Sequence, residues 1–375
     1  MTTSSLAAVF VSVALDAAIA YAILLRGNDR TIDLPRVLRA AGAILAVGAL
    51  KCALGLYVAH SYFLVVALVY ADLMVLVPMV GLAVLLAART RSVTRSARVL
   101  AGAGLGMIPI FVIATFVEPY RLVTEKHDVE ITSKRALPRP LVIGVLADVQ
   151  CVEVTDRERD AVARVMAAQP DLIVLPGDLQ QAGFDHADEI GPALRELFAP
   201  LAAPLGVYYV EGNTESVGEA RKLLAGSNVR ILDEEIVHLE RDGARITLCG
   251  VGLTRQSPRS RAALREIQGA SGDDDVRIVL AHQPDVVYDL ETRTRVDLVI
   301  AGHTHGGQVR LPWFGPPITL SSVPRAVAAG GLHEVDGRRI YVSRGIGWEH
   351  GHAPRVRFLC PPEVSLLTLR SAARN

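Results

Sequence analysis

The chain has 375 residues, with 39 basic and 39 acidic side chains and no formal net charge, so its balance gives no sign of a nucleic-acid partner. Hydrophobic residues make up 51% of it. They crowd into the stretch before about residue 118, which excludes a uniformly soluble protein and predicts a membrane part followed by a soluble part.

In chain order, four apolar stretches are long enough to span a bilayer, which takes about 20 residues: 6–25, 37–59, 62–88 and 99–117. The first is expected to be a span and not a cleaved signal, because MTTSS lacks a basic n-region and no clear cleavage site follows. Pro78 and Pro109 fall inside spans, where helices tolerate proline. The first loop holds Arg26, Arg30, Arg36 and Arg39, and the third holds Arg89, Arg91, Arg95 and Arg98. The N-terminus and the second loop, near His60, hold neither Lys nor Arg. The positive-inside rule then puts both basic loops in the cytoplasm and everything after Val117 outside it. Asp16, Lys51 and Asp72 lie inside spans. Two readings are open for them: a cluster that ties the helices together, which is preferred, or an ion or proton path.

Residues 118–140 form a charged connector in which HDVEIT alternates as a strand does and two prolines close the segment. A soluble domain is expected over 141–375, starting with alternating strands and helices: strand 141–148, helix 156–168, strand 171–177, helix 187–198, strand 206–211, helix 216–225. Strands follow at 229–232, 236–240 and 246–251, then a helix at 259–268 and strands at 276–281, 297–301, near Val309, at 340–343 and at 364–369. Alternation at the start with extra β later predicts two packed sheets with helices outside. The four cysteines, Cys52, Cys151, Cys249 and Cys360, show no close-spaced metal or redox pairing and are expected to be free or buried thiols.

Five of these strands end in ligand types. VIGVLADVQ delivers Asp148 and Gln150, LIVLPGDL delivers Asp178, VYYVEGNTE delivers Asn213, VRIVLAHQP delivers His282, and DLVIAGHTHGGQ delivers His303 and His305. In open α/β sheets, ligands bind beyond the carboxyl ends of the strands. Oxygen donors mixed with imidazole suit a pair of divalent metals sharing a carboxylate.

The series DVQ, GDL, GNTE, AHQP, GHTHGGQ resembles the calcineurin-like metallophosphoesterase superfamily, whose pattern is D-x-H, G-D, G-N-H-D/E, a lone H, then G-H-x-H. GGQVRLPWFGP, YVSRGIG and RVRFLCPPEVSLLTL resemble the tail of its bacterial membrane-anchored branch. The resemblance implies a four-layer α/β/β/α metallophosphoesterase sandwich behind the four-helix transmembrane region. It implies one metal on Asp148, Gln150, Asp178 and His305, and a second on Asp178, Asn213, His282 and His303, with Asp178 as the bridge. The activity implied is hydrolysis of phosphate mono- or diesters by an activated water.

Two departures change the expectations. Gln150 stands where the family has His, which weakens that position and shifts the choice among Mn, Fe, Zn and Mg toward harder ions, Mn first. Thr214 stands where the family has the His thought to orient phosphate or protonate the leaving group. His350 and His352, in the glycine-rich GWEHGHAP, are the candidates to replace it, and His186 is a weaker one. A soluble domain anchored at the bilayer makes lipid headgroups and lipid-linked diphosphates candidate substrates. Trp313 and Phe314 in LPWFGPP either dip into the interface or pack on the sheet. The second functional reading is a degenerate phosphate-binding or regulatory membrane protein with little turnover. A third, transport by the four helices, lacks polar pathway residues.

Overall fold

The computed structural model describes residues 3–26, 30–131, 137–181, 187–269, 275–349 and 353–371. His186, His350 and His352 lie outside the described residues. The chain divides into two compact units, Met1–Val117 and Glu118–Trp348, the second continued by Val356–Asn375.

Among the described residues four helices are long and apolar enough to cross a membrane, Leu6–Leu24, Leu34–Tyr57, Tyr62–Ala87 and Arg95–Tyr120, the last of them running from the first unit into the start of the second. The last three start where a short polar side chain caps an orphan amide. Asp33 accepts from Arg36 N at 3.0 Å, Ser61 from Leu64 N at 3.2 Å and Thr94 from Ala97 N at 3.4 Å. The third helix takes a π turn over Asp72–Leu76 just before Pro78, which absorbs the amide that proline lacks. Between the helices, β1 (Thr31–Ile32) pairs in parallel with β2 (Ser92–Val93). Both basic loops therefore sit at one end of the bundle. Arginines there cap the last carbonyls of the first helix, Arg36 Nε reaching Ile23 O at 2.7 Å and an Arg91 guanidinium nitrogen reaching Leu25 O at 2.6 Å. Inside the bundle Lys51 Nζ bonds Asp16, lies 2.8 Å from Ser12 Oγ and 3.5 Å from Asp72 Oδ2. One ammonium thus joins three helices, the arrangement preferred from the sequence.

The second unit holds two six-stranded sheets. The first runs in the order β3 (Val123–Ile131), β14 (Glu363–Ser371), β4 (Leu141–Val145), β5 (Leu172–Leu175), β6 (Val207–Tyr209), β7 (Val229–Ile231). The second runs β12 (Gly331–Val335), β13 (Arg338–Val342), β11 (Leu298–Ala301), β10 (Val276–Ala281), β9 (Ala244–Val251), β8 (Ile236–Arg241). Strands β4 to β7 are mutually parallel, as are β9, β10, β11 and β13.

Strand alternation builds the layers. Leu172 and Val174 join Ile278, Leu280, Leu298 and Ile300 in the core between the sheets. Their neighbours Ile173 and Leu175 face the helices Asp156–Ala167 and Ala187–Phe198, packing with Val165 and Leu194. On the other side, Val279 and Val299 pack against Leu264 and Ile267 of helix Pro258–Gly269. The result is a four-layer α/β/β/α sandwich.

Two differences from the sequence reading concern strands. The strand expected near Val309 is a single bridge to Phe358. Strand β12 was not anticipated, although the hairpin that joins it to β13 turns on Asp336-Gly337 with φ of 48° and 76°, the Asp-Gly combination that tight hairpins favour. The four cysteines are free, with Cys151, Cys249 and Cys360 buried.

Candidate metal centre

Asp148 and Gln150 follow β4, Asp178 follows β5, Asn213 follows β6, His282 follows β10, and His303 and His305 follow β11. Ligand types from both sheets therefore meet at one edge of the sandwich. Asp148, Asp178 and His282 are buried, with one donor atom from each lying within 4.8 Å of the others.

The backbone at these positions is unusual. Asp148, Gln150, Asp178, His303 and His305 have φ of 46°, 37°, 57°, 72° and 49°. Side-chain-bearing residues rarely adopt left-handed backbone, and runs of it persist only where the surroundings hold them, commonly at functional sites. Here the holding contacts run between sheets and between neighbouring strand ends of one sheet. His303 N–H donates to both carboxylate oxygens of Asp148 at 2.9 and 3.0 Å. Gly347 N–H donates to Asp148 O at 2.7 Å, and Gln150 N–H to Asp178 O at 3.0 Å.

Asp178 Oδ1 accepts from the backbone amides of Asn213 at 2.6 Å and Thr214 at 3.0 Å. That fixes the carboxylate and leaves Oδ2 facing the centre. The turn carrying Asn213 comes this close only because residue 212 is glycine: a Cβ there would sit 2.1 Å from Asp178 Oδ1.

The histidine tautomers follow from their partners. His282 Nδ1 donates to Pro176 O at 2.8 Å, so Nε2 carries a lone pair. His303 bonds the Leu320 backbone, and burial first, then the neighbouring His282, push it down to about 4, so its imidazole is neutral near pH 7. Its Nδ1 lies 2.9 Å from Asn213 Oδ1 and 3.1 Å from His282 Nε2. His282 Nε2 is in turn 2.7 Å from Asn213 Oδ1 and 3.4 Å from Asp178 Oδ2. These distances match the ~3 Å spacing of ligand atoms around one small divalent ion with bonds near 2.1 Å. With His282 and His303 in these tautomers, the converging lone pairs form a donor set that fits a divalent cation.

The other half of the centre is less regular. Gln150 Nε2 donates to Asp178 Oδ2 at 2.7 Å, and Gln150 Oε1 is buried with no hydrogen-bond partner among the described residues. A buried orphan carbonyl oxygen beside two carboxylates fits a metal ligand. His305 is buried on the His303 loop.

Thr214 does not take over the missing imidazole's place as a donor to substrate: its hydroxyl donates to Glu215 Oε2 at 2.9 Å. Glu215 is the residue whose role the sequence did not reveal. It is fully enclosed and accepts from Leu179 N at 2.9 Å, Gln180 N at 3.3 Å and Tyr209 OH at 2.6 Å. Burial first, then the charge of Asp178, raise it to about 7. It pins the chain on either side of Asp178, from Leu179 to Thr214. Its only signal was the last letter of GNTE.

A four-layer sandwich with carboxylates and imidazoles at its strand ends is the architecture of a metal-dependent phosphoester hydrolase. The calcineurin-like phosphoesterase profile matches residues 141–307. The phosphodiesterase YaeI of Escherichia coli is 31% identical over 221 residues, covering 56% of this chain and 74% of that protein. The chain belongs to the calcineurin-like phosphoesterase family, whose members use divalent metal ions. The uncharacterized metallophosphoesterase YkuE of Bacillus subtilis is 27% identical over 281 residues, 72% of this chain and 91% of that protein. The UDP-2,3-diacylglucosamine pyrophosphatase LpxG of Chlamydia trachomatis is 39% identical over 97 residues, 24% of this chain and 28% of that protein. Among solved structures, a dimetal phosphatase from Danio rerio is 16% identical with a TM-score of 0.34, covering 56% of this chain and 88% of that one.

Proposed function

We propose that this chain is a membrane-anchored phosphoesterase with a two-metal centre on the extracytoplasmic side, acting on esters with good leaving groups, lipid-linked diphosphates among them. The observation that carries the reading is the convergence of His282 Nε2, His303 Nδ1, Asn213 Oδ1 and Asp178 Oδ2. We assign these four to one metal position and Asp148, Gln150, Asp178 and His305 to the other, with manganese favoured because Gln150 offers a neutral, hard oxygen. Divalent ions held there supply Lewis acidity, which lowers the pKa of water and offsets charge on phosphoryl oxygens.

The chain's own residues define the rest. Asp148 is held by the His303 amide, Asp178 by the Asn213 and Thr214 amides, and His282 by Pro176 O, so the donor set is pre-oriented. With the Thr214 hydroxyl committed to Glu215, no side chain at that position protonates the leaving group. General acid catalysis is worth about 10²–10⁴-fold, so a phosphate or aryloxide leaving group suits this site better than an alkoxide. The substrate that LpxG is named for, UDP-2,3-diacylglucosamine split at its pyrophosphate, is of that kind. The arginines of the two loops at one end of the bundle support the extracytoplasmic placement.

A second reading has its own observation. Gln150 donates an N–H to the bridging carboxylate at 2.7 Å, occupying a lone pair that two metals would share. A degenerate, phosphate-binding member would look like this.

Metal analysis of the full chain in detergent, together with hydrolysis of bis(p-nitrophenyl) phosphate in manganese, separates the two. Two metals per chain and turnover, both lost in Asp178→Asn, support the enzyme. One metal or none, with no turnover in any divalent ion, supports the degenerate member.

A further inference from the structure

The loop after His305 carries an exposed apolar cluster on a rigid support. Residues 311–315 close into a tight hairpin, with Leu311 N–H donating to Gly315 O at 3.0 Å and Gly315 N–H to Leu311 O at 2.9 Å. Trp313 sits at its tip with φ of 62° and a relative exposure of 104%. Tryptophan gains nothing from left-handed backbone and loses much by standing fully in water. Leu311, Phe314, Leu320 and Leu359 are also exposed. With Trp313 they are five of the eight exposed large apolar side chains among the described residues of the soluble unit. The base is tied down on both sides. Arg310 N–H donates to Phe358 O at 2.9 Å, next to Leu359, and the Leu320 backbone bonds the His303 ring. The cluster is therefore the rim of the metal centre.

We propose that this hairpin is a bilayer contact, with Trp313, Phe314, Leu311 and Leu320 entering the boundary between headgroups and acyl chains. A clustered apolar surface of this kind marks an interaction site, and three features favour lipid over protein as its occupant. The chain has four helices fit to cross a membrane, so a bilayer is always within reach of the soluble unit. Tryptophan is the side chain most enriched at the membrane interface. The exposed Arg325 lies with its guanidinium 3.9 Å over the Phe314 ring, a cation beside the apolar tip that complements lipid phosphate. The contact would bring the mouth of the centre to headgroup level. It rests on the phosphoesterase reading only for the further consequence that lipid-borne phosphoesters are what the rim admits.

The chain has two tryptophans, and Trp348 is buried, with the Arg157 guanidinium 3.8 Å from its ring centroid. In the Trp348→Phe full-length protein, emission comes from Trp313 alone. Reconstituted in phosphatidylcholine–phosphatidylglycerol vesicles with bromine near the glycerol end of the acyl chains, it is expected to lose about half its intensity relative to unbrominated vesicles. It should also be protected from iodide. The Trp313→Ala protein, reporting Trp348, serves as the control for the buried ring. Emission from Trp313 that is unquenched by bromine and open to iodide in vesicles overturns the proposal and leaves the cluster to a protein partner. This readout needs no turnover, so an inactive but quenched protein would overturn the enzymatic reading and leave the bilayer contact standing.

Discussion

At residue scale, the centre depends on a few substitutions with opposite expected effects. Gln150→His replaces an amide that donates to Asp178 with an imidazole, whose ring-nitrogen lone pair is a better metal ligand than an amide oxygen. It is expected to raise metal content toward two per chain at limiting manganese or zinc, as measured by elemental analysis after desalting. Thr214→His restores a general acid and should speed hydrolysis of alkyl phosphoesters by about 10²-fold, with little effect on p-nitrophenyl esters. Equal gains on both would show that the imidazole orients rather than protonates. Away from the centre, Asp171 joins three elements: it accepts from Val142 N at 2.9 Å and pairs with Arg241 and Arg139. Burial alone would raise its pKa, but the Val142 amide and the Arg241 pair together hold it below the usual carboxylate value. A depressed folded pKa gives stability that is present above the unfolded value near 3.9 and is lost as pH falls through the folded one. Asp171→Asn should therefore cost about 3 kcal/mol in thermal or chemical unfolding at neutral pH. The difference from wild type should shrink below about pH 4.

At the scale of elements, the strand ends are the working parts. Gly212→Ala places a methyl 2.1 Å from Asp178 Oδ1 and must push the Asn213 turn away from Asp178. The fold should survive while metal content and turnover both fall, which circular dichroism and elemental analysis would show side by side. Most of this layer was legible in the sequence, because each parallel strand is a short apolar run that stops on a polar residue. LIVL before Pro176-Gly177-Asp178 and VRIVLA before His282 are visible without coordinates. What was hidden depends on backbone partners. Glu215 bonds amides 35 and 36 residues earlier in the chain, and no spacing rule links them. The commitment of the Thr214 hydroxyl to Glu215 is equally invisible, since a threonine in a loop has many possible acceptors. Strand β12 was missed for a different reason: GLHEV has too little apolar alternation to stand out, and the Asp336-Gly337 turn beside it was the stronger clue.

At the scale of the whole molecule, the membrane unit makes its own prediction. Lys51 holds Asp16 and lies near Asp72, so Lys51→Ala leaves two carboxylates facing each other among apolar helices. It should lower thermal stability in detergent sharply, since breaking a buried pair by removing one partner costs about 3–5 kcal/mol. Neutralising all three, with Asp16→Asn, Lys51→Met and Asp72→Asn, should restore most of it. An ion path would behave differently, because the triple variant would fold and lose its function. The soluble unit carries a consequence of another kind. Strand β3 lies at the edge of its sheet, and its one neighbour is β14, made after nearly all of the soluble unit. Ribosomes add about 5–20 residues each second, so the strand that follows the last span waits about 12–48 s for its partner, 240 residues later in register, to be synthesised. During that time the emerging domain has an open edge, and such an edge pairs readily with other chains. Assembly of this domain is thus timed by β14, and a product clipped before Glu363 would leave an unpaired β3 for chaperones and proteases to recognise.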